Sequence, residues 1–132
     1  MPNAVPSPLP ALPSAPRPRI LLVEDEPTIA VTLRDDLVDE GCEVTVVGDG
    51  SEAIGEVARW PPCDAVIADL RLPGADGLRV LAAARCHWPL ARLLLITAHA
   101  GAVHRDRLLA AGASLLEKPF ANAQVVAWLR GA

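Results

Sequence analysis

The sequence predicts an α/β fold, a five-stranded parallel sheet with helices on both faces, and three observations carry that prediction. Short continuous apolar runs recur along the chain, each followed by a segment whose apolar residues repeat at helical spacing. Of the 132 residues, 52% are hydrophobic but only 3% aromatic, so the core is built from Leu, Val, Ala and Ile. Each of four runs also ends in a polar group: Glu24-Asp25, Asp69, Thr97 and Lys118. In a parallel α/β sheet those carboxyl ends converge on one edge, where ligands bind.

The elements follow in order. Ile20-Leu21-Leu22-Val23 is a strand of the kind buried on both faces. Pro27 suits a first helical turn, where its missing N–H costs nothing. Ile29, Leu33 and Leu37 then form one apolar stripe, and Gly41 ends the helix. Val44-Thr45-Val46-Val47 is the second strand, and Ala53, Ile54, Val57 and Ala58 line a helix that stops before Pro61-Pro62. Ala65-Val66-Ile67-Ala68 is the third strand, Leu70 to Gly74 a loop, and Leu78, Leu81 and Ala82 mark the third helix. Leu93 to Ile96 is the fourth strand. Val103, Arg107 and Leu109 or Ala110 span a fourth helix closed by Gly112. Leu115-Leu116 is a brief fifth strand, and Val125, Val126 and Leu129 carry the last helix. Five strand–helix repeats call for right-handed crossovers and leave no room for a second domain.

Residues 1–18 stand apart. They hold more than half of the chain's 13 prolines and read as a flexible or polyproline-like leader, so the folded domain is expected over 19–132. The formal charge of -4, with no short Lys/Arg cluster, argues against a phosphate-backbone footprint and so against direct nucleic-acid binding. Cys42, Cys63 and Cys86 show no metal-ligand spacing and read as free thiols of a reducing cytoplasm. No apolar run approaches the ~20 residues that span a bilayer, and prolines interrupt anything like a signal peptide. Trp60, Trp88 and Trp128 read as packing or partner-edge residues, and His87 and His104 as helix-surface residues.

Four segments carry a resemblance. They are Leu22 to Pro27, then Asp64 through Asp69 to Gly77, then Ile96-Thr97-Ala98, then Lys118-Pro119-Phe120. In order, and each at a strand end, they make the chain similar to the receiver domain of two-component response regulators, including the stand-alone chemotaxis type. The resemblance covers roughly residues 19–130 and implies the strand order 2-1-3-4-5.

Electrostatics bears on the same residues. Glu24, Asp25 and Asp69 brought together repel, a like pair at 4 Å by about 4 kcal/mol at an effective dielectric of 20. Either one carboxylate takes up a proton or a cation neutralises the cluster. Ligands that are all oxygen favour Mg²⁺, with Mn²⁺ as a substitute. The resemblance implies that Asp25 and Asp69 bind the ion directly, Glu24 through water, and Arg71 through its backbone carbonyl. It further implies Asp69 as the nucleophile that takes a phosphoryl group from a sensor histidine kinase, a phosphotransfer protein or a small phosphodonor. Thr97 and Lys118 would hold phosphoryl oxygens, and small Ala98 would leave room for them. Lys118-Pro119 would be a cis peptide, and Arg71 and His99 would flank the site and tune its lifetime.

A downstream protein partner would then read a changed surface formed by the fourth helix, fifth strand and fifth helix. One departure stands out: the fifth-strand position often held by Tyr or Phe is Leu115, which puts an aromatic switch in doubt. With nothing following the last helix, the chain resembles a single-domain regulator or relay shuttle, though a domain cut from a longer protein fits as well. Two other classes stand beside this one. A pseudo-receiver interaction module would lack the full acid–hydroxyl–lysine set. An aspartyl-phosphate phosphatase would want a second acid after its nucleophile, and Asp69-Leu70-Arg71 has none. The domain is expected to be an acceptor, not an enzyme turning over an external substrate.

Overall fold

The computed structural model describes residues 17–131. The leader expected over residues 1–18 lies outside them, apart from Arg17 and Pro18. The chain alternates β1 (Arg19–Val23), α1 (Pro27–Asp39), β2 (Glu43–Val47), α2 (Gly50–Arg59), β3 (Ala65–Asp69), α3 (Gly77–His87), β4 (Arg92–Thr97), α4 (Arg105–Ala111), β5 (Ser114–Glu117) and α5 (Asn122–Leu129). All pairings are parallel, as the strand–helix alternation predicts, and the sheet order is β2-β1-β3-β4-β5, as the resemblance implies. Leu22 lies opposite Val46 on one side and Ile67 on the other, and Ile67 opposite Leu94.

Side chains alternate across the sheet, which splits the core in two. Ile20, Leu22, Ile67, Leu94 and Ile96 face α1 and α5, meeting Leu33, Leu37 and Val125. Leu21, Val23, Val66, Ala68 and Leu95 face the other way, toward Val57 of α2, Leu78, Leu81 and Trp88 of or just after α3, and Leu108 of α4. Burying each of these Val, Leu and Ile side chains contributes roughly 1.5–3 kcal/mol. Caps fix where the helices begin. Pro27 opens α1, the Asp49 carboxylate accepts the Glu52 N–H at 2.9 Å, and Asp76 accepts that of Arg79 at 2.9 Å.

The region after β4 departs from the expectation. A single 3-10 turn, Ala100–Ala102, comes first, and α4 begins only at Arg105. His104 is the residue that delays it: its Nδ1 accepts the Arg107 N–H at 3.2 Å, capping the helix. The stripe is therefore phased differently. Leu108 and Ala111 are buried while Leu109 and Ala110 point outward, and Val103 packs as the buried residue before the helix. Ala58 and Ala82, read as inward, are exposed. His104 is thus a cap and not merely a surface residue.

Candidate phosphoacceptor and metal site

The four polar strand-end groups meet. Glu24 and Asp25 follow β1, Asp69 and Thr97 are the last residues of β3 and β4, and Lys118 follows β5. Because the strands are parallel, all lie at the carboxyl edge of neighbouring strands. The Lys118 N–H donates to the Thr97 carbonyl at 2.8 Å, tying the lysine to the end of β4. Glu24, Asp69 and Thr97 are the buried polar residues among the described residues, at 2%, 6% and 0% exposure. Such groups are retained where they are paired or used.

Lys118 joins the acids. Its Nζ donates to Asp69 Oδ2 at 2.7 Å and stands 3.5 Å from Glu24 Oε1. Glu24, Asp25 and Asp69 each offer a carboxylate oxygen, all within 4.8 Å of one another. The Arg71 N–H donates to Asp69 Oδ1 at 3.3 Å, and the Glu26 N–H to Glu24 Oε2 at 3.1 Å. The His99 N–H donates to Thr97 Oγ1 at 2.8 Å, which leaves the threonine's own hydrogen free to donate elsewhere. Burial, reinforced by the Asp69 charge, pushes the Glu24 carboxyl up to about 7 against the pull of the Glu26 amide and Lys118. Burial by itself would lower Lys118, but its hydrogen bond to Asp69 and the nearby carboxylates outweigh that and raise it.

The donor set fits a hard divalent cation. Glu24 Oε1 is the one buried side-chain polar atom without a hydrogen-bond partner among the described residues. It belongs to a trio of carboxylates with no sulfur or imidazole in the group. One ammonium cannot neutralise three clustered acids; a proton on Glu24 or a divalent cation would complete the balance.

The other expected residues gather around this centre. Asp25 and Arg71 line an open cleft of about 670 Å³ with Leu72, Pro73 and Asp76. Ala98, Lys118 and Pro119 line a separate groove of about 430 Å³ with Ile29 and Phe120. The Lys118-Pro119 peptide is cis, as the resemblance implies. His99 is exposed beside Thr97. Leu115 is half-buried against the α2–α3–α4 side of the core. Sequence reasoning assigned no role to Gly50, which the fold presses against Ala75 of the loop after Asp69, or to Gly77, which it presses against Asp69 itself. Their signals were the Asp-Gly pairs Asp49-Gly50 and Asp76-Gly77, the second of which closes one of the four segments that carry the resemblance.

Known proteins are similar to this chain in sequence and in fold. The transcriptional regulatory protein TrcR of Mycobacterium tuberculosis is 37% identical over 114 residues, which cover 86% of this chain and 44% of that protein. The chain thus spans about half the length of the curated relatives it matches. The receiver domain of sensor histidine kinase PA1611 from Pseudomonas aeruginosa, with a magnesium ion coordinated in its active-site cleft, superposes with a TM-score of 0.76 at 32% identity. That match covers 87% of this chain and 96% of the other. A response regulator from Burkholderia pseudomallei, solved with a phosphorylated aspartic acid, calcium and citrate, gives 0.76 at 26% identity over 85% of this chain and 66% of its own. Residues 20–130 match the response regulator receiver domain, and the chain belongs to that family of two-component signalling domains.

Proposed function

We propose that Asp69 is the phosphoacceptor. One of its carboxylate oxygens attacks the phosphorus of a phosphohistidine, carried by a sensor histidine kinase or phosphotransfer protein, or that of a small acyl phosphate. The bond from phosphorus to the departing imidazole nitrogen or carboxylate oxygen breaks, and an aspartyl phosphate remains. The observation that carries this reading is the buried Asp69 carboxylate held 2.7 Å from Lys118 at the edge where Glu24 and Asp25 also converge.

Each neighbour has a task. Lys118 meets negative charge on one phosphoryl oxygen, and the Thr97 hydroxyl, oriented by the His99 amide, donates to another. Asp25, Asp69 and the Arg71 carbonyl would hold magnesium, with Glu24 helping through water and manganese as a substitute. When bound there, the cation would supply neutralisation of phosphoryl charge. Ala98, exposed and small, leaves space beside the phosphoryl group. The product changes the protein's own state, so the domain is an acceptor and not an enzyme of external turnover.

Phosphorylation brings about -1.5 to -2 charges to this edge. Thr97 follows that charge and shifts the surface of α4, β5 and α5, which a downstream protein target reads. Residues 19–132 form the receiver and residues 1–18 a leader outside it. Among the described residues no helix is long and apolar enough to cross a membrane, and Cys42, Cys63 and Cys86 are free thiols. The free thiols support action in a reducing cytoplasm, and the net charge of -4 supports action through protein contacts without direct nucleic-acid binding. Intact-mass analysis after acetyl phosphate with Mg²⁺, run beside Asp69→Asn, tests the chemistry. A phosphate-sized adduct in the parent alone is the expected outcome; an equal adduct on Asp69→Asn removes the assignment.

A further inference from the structure

We propose that Gly77 is a positioning residue for the phosphoacceptor: its missing side chain lets the start of α3 press on the main chain of Asp69 and so sets where that carboxylate sits. This inference rests on the reading of Asp69 just given. A Cβ placed on Gly77 would lie 2.2 Å from the Asp69 carbonyl oxygen, 2.8 Å from its carbonyl carbon and 2.8 Å from Leu95 Cδ1. Leu95 is fully buried, and the other two atoms are backbone at the end of β3. None can swing aside as the tip of a long side chain would.

The hydrogen bonds show why a push there reaches the carboxylate. The Gly77 N–H donates to the Leu70 carbonyl at 2.9 Å, and the Leu70 N–H to the Ile96 carbonyl at 2.9 Å. Leu70, the residue that follows Asp69, is therefore held by α3 through its carbonyl and by β4 through its N–H. The Asp69 carboxylate is gripped as well, by Lys118 Nζ at 2.7 Å and the Arg71 N–H at 3.3 Å. An added methyl must either rotate Asp69 against these partners or lift α3 off β3. A second glycine seats the far arm of the same loop. The Gly50 N–H donates to the Pro73 carbonyl at 2.8 Å, and a Cβ there would fall 1.8 Å from the Ala75 carbonyl oxygen. Gly50 thus bears on the loop, and Gly77 on the reacting residue itself.

Two comparisons separate positioning from simple destabilisation. Gly55, inside α2, would place a Cβ no closer than 3.7 Å to the end of Arg59, so Gly55→Ala is a stabilising background. Into it go Gly77→Ala and, separately, Val57→Ala, which empties part of the buried core from α2. Acetyl-phosphate labelling is followed by intact mass, and Mg²⁺ affinity by calorimetry with no donor present. The Gly77→Ala chain is expected to melt cooperatively, bind Mg²⁺ more weakly and label about 100-fold more slowly, the scale of a 1 Å misplacement. Val57→Ala should lower the melting temperature yet label and bind Mg²⁺ like the background. Labelling and Mg²⁺ binding by Gly77→Ala at background levels would overturn the proposal, as would equal losses in Val57→Ala. A Gly77→Ala chain that stays unfolded even in the stabilised background also overturns it, assigning the contact to folding alone. A parent chain that takes no phosphoryl group sinks the reading of Asp69 instead, and the Mg²⁺ comparison still decides the role of Gly77.

Discussion

The side chains around Asp69 divide into those that hold it and those that merely border it. Lys118 holds it, through a 2.7 Å charge-assisted bond from a side chain only 17% exposed, short enough to fix the carboxylate's direction. Arg71 and His99 border it. Their backbone amides contact Asp69 and Thr97, while the residues themselves are exposed at the rim. On the reading proposed for Asp69, side chains so placed would govern access of water and donor to the aspartyl phosphate without supporting the core. Replacing either with Ala is therefore expected to change the dephosphorylation rate several-fold with the melting temperature nearly constant, since exposed substitutions away from packing cost within about ±0.5 kcal/mol. Loss of the phosphate adduct over time, followed by intact mass, checks this. Unchanged decay in both variants would remove the rim role.

At the scale of elements, α4 is the lightly held piece. It has only seven residues. Its Arg107 reaches Asp76 at 3.7 Å between side chains about four-tenths exposed, a pair worth roughly 1 kcal/mol or less. Its carboxyl end is better fastened, because Arg85 of α3 donates to the Ala111 carbonyl at 2.7 Å. Thr97 pulling on the loop before α4 should thus move the amino end of that helix about a fixed carboxyl end, with Leu115 packing in place of an aromatic switch. Adding beryllofluoride with Mg²⁺ is expected to shift amide resonances across residues 98–118, most strongly over 98–107; no change in 98–118 defeats the idea. The same helix marks where sequence reasoning ran out. The strands were legible because runs such as Leu21-Leu22-Val23 and Leu93 to Ile96 are buried on both faces, leaving an unbroken apolar signature. Their polar last residues escaped the pattern but not the ladder, so β3 and β4 each run on to Asp69 and Thr97. After Thr97 the stretch Ala98 to His104 has small residues and no helical phase. The start of α4 depends on the imidazole cap at His104, and phasing from Val103 turned the stripe toward Leu109, which is 75% exposed. The site was legible because its chemistry sits at strand ends. The seats for its loop were not, since Asp76-Gly77 reads locally as a turn and the contact with Asp69 exists only once α3 lies on β3.

For the whole molecule, gathering acids at one edge costs stability that a cation restores. Glu24 is the clearest carrier of that cost: its carboxyl is raised by burial from 4.5 to about 7 in the fold. Below pH 4.5 the folded and unfolded chains both carry this proton, and the residue exacts no penalty. Between pH 4.5 and 7 the unfolded chain has lost the proton while the fold retains it, so stability falls as pH rises. Above 7 the fold holds a buried, incompletely neutralised carboxylate, at a total cost of roughly 3 kcal/mol. In chelator, the parent's melting temperature should therefore decline from pH 5 to pH 8, by on the order of 10 °C from this residue. Glu24→Gln, which keeps the shape without the charge, should lose that part of the slope and be the more stable chain at pH 8. Mg²⁺ should reverse the order, raising the parent more than the Gln variant and more at pH 8 than at pH 5.5, because the ion replaces the proton as neutraliser. Thermal melts of both chains across this range, with chelator and with Mg²⁺, check it. Parallel pH slopes for the two chains in chelator would show that Glu24 carries none of the cost, and that Lys118, 3.5 Å from its Oε1, already balances it.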